Sequence, residues 1–122
     1  METIKRIYQD DGVTFFIDGA QTLTMCERME DGRVVIALSG ALPSALVHDL
    51  YDELVALSTV GKEIVLDMRE ITYVSNACQQ ALLKAQQQMD AMERGSMVIV
   101  HLPEDILAQF EKIGLTELLM IE

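Results

Sequence analysis

The stretch Glu63-Ile64-Val65-Leu66-Asp67-Met68-Arg69-Glu70-Ile71-Thr72-Tyr73-Val74-Ser75-Asn76-Ala77-Cys78 decides the fold. Its first six residues form a short apolar run rich in β-branched side chains, the pattern of a strand buried on both faces. From Ile71 to Cys78 it runs through a loop into a helix, and Ser75 or Asn76 supplies a side-chain oxygen to cap that helix. From Asn76 to about Arg94, Cys78, Leu82, Ala85, Met89 and Met92 fall on one stripe. Gln79, Gln80, Lys84, Gln87, Gln88 and Asp90 face away, and Gly95 is placed as the left-handed cap.

The same alternation continues on both sides. Downstream, Met97-Val98-Ile99-Val100 reads as a second buried strand. Pro103 opens a helix with Glu104 and Asp105 in its first turn, where the helix dipole favours anions. Ile106, Leu107, Phe110 and Ile113 form its core face, Gly114 stops it, and Leu115 folds back after the cap. Leu118 to Ile121 is expected as a last short strand. Upstream, Pro43 marks the first turn of a helix carrying Leu46, Val47, Leu50, Leu54 and Leu57 on one side and ending before Gly61. Before that helix, the segments Thr22–Glu30 and Arg33–Leu38 flank Asp31-Gly32 and predict a hairpin. Strand–helix–strand alternation implies parallel pairing with right-handed crossovers.

Residues 1–21 are read as an N-terminal extension and residues 22–122 as the main domain. In the extension, Ile4–Tyr8 and Val13–Ile17 flank Asp10-Asp11-Gly12, a second hairpin signal, and Gly19-Ala20 breaks the pattern. This piece extends the sheet edge, makes a dimer contact, or packs as an arm without a function of its own.

At 122 residues and 50% hydrophobic content, the chain is sized for one domain with one core. The net charge of −11 speaks against nucleic acid, whose binders displace counterions with a basic patch, and against an anionic membrane surface. It suits a basic surface on a protein partner. No apolar run is long enough to span a bilayer and the N-terminus lacks a signal-peptide pattern, so the expected address is the cytoplasm. Cys26 and Cys78 form no CxxC, and in a reducing compartment they read as small hydrophobes.

Signals for chemistry are sparse. Neither GxxxxGK[ST] nor GxGxxG occurs, and His48 and His101 have no metal-ligand spacing. His48 lies on a polar helix face, and His101 follows a strand at the end where α/β sheets carry sites. Cys78 near a helix start has the position of an activated thiol, but it lies on the apolar stripe. Asp67 reads as a cap or loop residue at a strand end. No catalytic residue or metal ligand is assigned.

Several strings, taken in order, resemble one family. From about Met25 to Glu122 the chain is similar to the STAS domain, shared by anti-sigma factor antagonists and the cytosolic tails of sulphate transporters. Arg33-Val34-Val35-Ile36-Ala37-Leu38-Ser39-Gly40-Ala41-Leu42 resembles its second strand and G-x-L-D segment. Glu63 to Val74 resembles the central strand, and Ile113-Gly114-Leu115-Thr116-Glu117-Leu118-Leu119 resembles the closing G-L-x-x-[IL].

The resemblance implies a single α/β domain, a mixed four- or five-stranded sheet with helices packed on it. It implies a regulatory protein-binding module rather than an enzyme, with no cofactor. The partner is an anti-sigma factor or a histidine-kinase-like ATPase domain. In regulatory members D-S-S-G follows the central strand, and its first serine is phosphorylated to release the partner. Here Ser75-Asn76-Ala77-Cys78 occupies that place, so Asn76 stands at the phosphoacceptor position and Ser75 is the one hydroxyl left for a shifted acceptor. Pro43 stands where the Asp of G-x-L-D is expected. The implied docking set is Pro43, Ser75, Asn76, Ala77, Gln79 and Gln80. The alternative role is a structural or assembly subunit, or a homodimer built through residues 1–21.

Overall fold

Three two-residue turns build the antiparallel half of the sheet in the computed structural model, which describes residues 2–59, 63–93 and 95–122. Strand β1 (Ile4–Gln9) turns through Asp10-Asp11 into β2 (Gly12–Ile17). Asp18 and Gly19, at φ of 50° and 84°, lead into β3 (Ala20–Glu30). Asp31 and Gly32, at 52° and 78°, lead into β4 (Arg33–Leu42). Consecutive positive φ values are what a type I′ turn needs, and Asp-Gly adopts them at low cost. The residues Asp18-Gly19 are thus a hairpin turn where the sequence suggested a break. The division expected between residues 21 and 22 falls inside β3.

After β4 the connections become crossovers. Pro43 and a 3-10 turn (Ser44–Leu46) precede α1 (Val47–Ser58). Then come β5 (Ile64–Val74), α2 (Asn76–Met92), β6 (Met97–Val100) and α3 (Glu104–Lys112). Strands β4, β5 and β6 are parallel. The sheet is mixed, as expected, but has six strands in sequential order instead of four or five, because β1 and β2 join it. The expected last strand reduces to one parallel bridge, Ile99 to Ile121. The Leu118 and Leu119 amides donate instead to the Leu115 carbonyl, at 3.0 and 2.8 Å.

Strand β5 runs six residues beyond Met68, so Ile71–Val74, read as loop, is strand. Its register against β4 shifts between Ala37 and Ser39 and again between Gly40 and Ala41, which carries the pairing to Val74. Ile71 and Val74 are buried.

One face of the sheet carries the core. Phe15, Ile36, Leu66 and Met68 pack there with Leu50 and Leu54 of α1, Leu82 of α2 and Phe110 of α3. On the opposite face, Val35, Val65 and Val98 form a small separate cluster. Met92 and Ile113, expected in the core, are 39% and 54% exposed, the one being the last residue of α2 and the other the residue that closes α3. Glu93, at φ 52°, is the left-handed residue closing α2, ahead of Gly95. The stop expected at Gly61 lies outside the described residues, and α2, expected to run to about Arg94, ends at Met92. Among the described residues, no helix is long and apolar enough to cross a membrane.

Candidate docking site at the start of the second helix

The parallel strands β4 and β5 end side by side, Leu42 opposite Val74, so the residues leaving both strands are held at one end of the sheet. The Ser75 amide donates to the Leu42 carbonyl at 2.9 Å. The Ser75 hydroxyl accepts from the Cys78 amide at 3.2 Å, so Ser75, not Asn76, is the cap. The Cys78 thiol donates to the Pro43 carbonyl at 3.3 Å. These three bonds tie the segment after β4 to the first turn of α2.

Pro43, Ser75, Asn76 and Ala77 are therefore brought together. Ser75 is buried at 6% exposure, Pro43 and Ala77 are half-buried, and Asn76 and Gln80 are exposed. Gln79 departs from expectation. It is 3% exposed, donates its side-chain amide to the Val74 carbonyl at 3.1 Å, and leaves its buried Oε1 without a partner. A long polar side chain one turn into the helix reaches back to the end of β5, which helical spacing alone does not reveal. The first turn of α2 holds no acidic residue, so the positive end of the helix dipole is uncompensated beside Asn76.

The sequence reading missed a neighbour of this site. A groove of about 250 Å³ runs between α1 and α2, lined by Val47, His48, Tyr51, Ala77, Gln80, Ala81 and Lys84. The Lys84 ammonium lies 5.8 Å from the centre of the Tyr51 ring, a cation–π contact across the two helices. The available signal was the i, i+4 pair Val47 and Tyr51, on the margin between the apolar and polar sides of the first helix.

The residues weighed for chemistry are held apart. Cys78 is fully buried, and burial pushes its thiol up in pKa, partly opposed by the hydrogen bond with Ser75. A protonated, buried thiol is a poor nucleophile. His101, at a left-handed φ of 58°, borders a hollow of about 510 Å³ on the helix-free face. The arginines around it are paired, Arg28 with Glu30 at 2.9 Å and Arg33 with Glu63 at 3.7 Å. Asp67 lies within β5, not at its end, and accepts from the Arg69 amide at 3.1 Å. Among the described residues, no three His, Cys, Asp or Glu side chains are grouped to hold a metal ion.

A family model described as Mlab, STAS domain, matches residues 25–122. No curated protein sequence matches. Among solved structures, an anti-sigma factor antagonist from Mycobacterium paratuberculosis has a TM-score of 0.71 at 14% identity, covering 82% of this chain and 85% of its own. The phosphorylated form of the Bacillus cell fate determinant SpoIIAA has a TM-score of 0.58 at 16% identity, covering 80% and 90%. Protein tm1081 of Thermotoga maritima has a TM-score of 0.66 at 12% identity, covering 80% and 84%. At these identities the likeness is one of fold. Strands β1 and β2 lie outside the residues that the family model matches.

Proposed function

This chain belongs to the STAS domain family, and from that membership we propose a cytoplasmic, non-enzymatic regulatory module that docks a protein partner at the start of α2. The docking surface is Pro43, Asn76, Ala77 and Gln80, continuing into the groove between α1 and α2. Ser75 belongs to it as the residue that holds the turn. Gln79 supports the surface from beneath.

One observation supports this reading above others. Asn76 is exposed where the family carries its phosphoacceptor, while the adjacent Ser75 hydroxyl is buried and engaged as a cap. An amide takes no phosphoryl group, and reaching Ser75 would require opening the helix start. The module therefore binds without the serine switch. The relatives named as anti-sigma factor antagonists make an anti-sigma factor, or a histidine-kinase-like ATPase domain, the partner class for this chain. Its charge of −11 favours a basic partner surface, through faster encounter.

The test is affinity capture from the native cell, identification of the bound protein, and titration of that protein against variants. Asn76→Lys and Gln80→Lys each weaken binding about tenfold or more, as expected for substitutions within a contact patch. Incubation with ATP and extract leaves residues 75–77 free of phosphate. Unchanged affinity in both variants, or phosphate on Ser75 with loss of binding, rejects the reading.

A further inference from the structure

We infer that the groove between α1 and α2 seats an acidic side chain of the docked partner, an Asp or Glu whose carboxylate meets Lys84 while its stem lies against Ala77 and Ala81. The inference rests on the docking reading above and names the chemistry that the partner brings to that site.

Charge along the chain singles the place out. The sequence holds 20 acidic residues in 122, yet from Ile71 to Met89 it has none, and Lys84 is the one charged side chain of that run. The exposed side of α2 is left with Asn76, Gln80, Gln87 and Gln88 around it. A face of uncharged amides in an otherwise acidic chain has the composition of an interface interior, where charge is depleted. Helix α1 brings no acid to the groove either. Its Asp49 and Glu53 turn toward β1, Asp49 bonded to Arg6 at 2.7 Å and Glu53 accepting from the Tyr8 hydroxyl at 3.0 Å. Asp52 is exposed and stands outside the lining.

The shape of the groove follows from residue spacing. Ala77, Gln80, Ala81 and Lys84 recur every three or four residues and form one stripe of α2. Val47, His48 and Tyr51 face them from α1. Two alanines one turn apart fill little of the space between the helices, and a hollow of about 250 Å³ remains. Ala81, buried, forms its floor.

Lys84 closes one end, its ammonium 5.8 Å from the centre of the Tyr51 ring. Among the described residues no carboxylate pairs with it. The ring holds the ammonium in place, so less freedom is lost when a carboxylate arrives. The other end is the start of α2, about 12 Å away along the helix axis, where the dipole also favours negative charge. The overall charge of −11 still steers a basic partner surface from a distance. An acidic side chain set within that surface then fixes the register, because a basic one in its place would face Lys84.

Nitrogen–proton NMR of the intact chain, titrated with hexanoate and separately with hexylammonium, tests the groove without the partner. Hexanoate shifts the amides of Ala77, Gln80, Ala81 and Lys84 and saturates on the order of 1–10 mM, while the amine leaves them in place. Lys84→Gln weakens the response about fivefold or more, and Lys84→Glu removes it. The same spectra report whether each variant is folded. Equal shifts from the two probes, shifts only elsewhere, or a response retained in Lys84→Glu overturns the inference. The captured partner supplies the second arm: Lys84→Glu lowers its affinity, and exchanging one partner carboxylate for lysine restores it. Affinity unchanged by Lys84→Glu but lost in Asn76→Lys rejects the acidic side chain and keeps the docking site. Affinity unchanged in both Asn76→Lys and Gln80→Lys, with hexanoate still seated, rejects the docking reading and the partner's carboxylate with it, leaving the groove as a carboxylate site.

Discussion

The Cys78 thiol lies 3.3 Å from the Pro43 carbonyl, so the second helix is fastened by its first turn to the segment that leaves β4. A cysteine that is fully buried and hydrogen-bonded in this way is a structural residue with a predictable chemical silence. Under native conditions a thiol reagent labels Cys26, which is half-buried, before Cys78, which reacts only on unfolding. Mass spectrometry of the alkylated protein, native and in urea, counts the labels. The raised pKa sets the sign of the pH effect. The folded thiol holds its proton to higher pH than the unfolded one, so its contribution is complete below the ordinary thiol range and is lost as pH rises through it. Urea midpoints across that range decline less in Cys78→Ala than in the parent.

Ser75→Ala removes the acceptor for the Cys78 amide, which is then buried without a partner. The loss of a helix cap costs about 1–2 kcal/mol. Ser75→Asp keeps an acceptor at the helix N-terminus and recovers part of that, the burial of its carboxylate offsetting the rest. Urea denaturation of the three proteins measures both effects, and equal stability of Ser75→Ala and the parent would mean that the cap contributes nothing.

How far the sequence reaches is visible in these residues. Pattern alone finds the parallel strands, the three helices and the Asp31-Gly32 hairpin, because each depends on local periodicity or turn chemistry. The stretch Ile71–Val74 looked like loop because its alternation is interrupted where β5 slips against β4, a long-range event. The burial of Gln79 depends on where the end of β5 lies beneath α2, and the groove beside Ala77 depends on how two helices pack. The placing of Asn76 at the phosphoacceptor position comes from the resemblance alone, as register within a motif, and does not depend on packing.

Two buried glutamines in α2 predict opposite tolerance. Gln86 spends both ends: its amide donates to the Leu118 carbonyl at 2.6 Å and its carbonyl accepts from the Met120 amide at 2.9 Å. Gln79 makes one bond and leaves a buried oxygen unpaired. Substituting methionine at each position keeps length and removes polarity. Gln86→Met loses two bonds and loosens residues 118–120, whereas Gln79→Met loses one and relieves an orphan acceptor. The former is the more destabilising by about 1 kcal/mol or more. Hydrogen exchange at the Met120 amide rises in Gln86→Met and is unchanged in Gln79→Met.

Gly40 and Gly32 both hold positive φ, 110° and 78°, yet they differ in what surrounds them. A Cβ at Gly32 meets open space, because the residue sits in the β3–β4 turn. A Cβ at Gly40 runs into the Thr22 carbonyl of the adjoining strand, and backbone cannot step aside as a side chain can. Gly32→Ala therefore carries only the conformational cost, about 1 kcal/mol. Gly40→Ala adds a collision between two strands at the place where β4 changes register against β5. Because Gly40 lies three residues before Pro43, the displaced strand also moves the segment bonded to Cys78 in the first turn of α2. The expected outcome is a loss of about 3 kcal/mol or more in urea denaturation. Partner affinity should fall in Gly40→Ala at temperatures where the protein is still folded, and hold in Gly32→Ala. Equal tolerance at the two glycines would mean that the β3–β4 contact at Thr22 yields, and that this strand does not position the proposed docking surface.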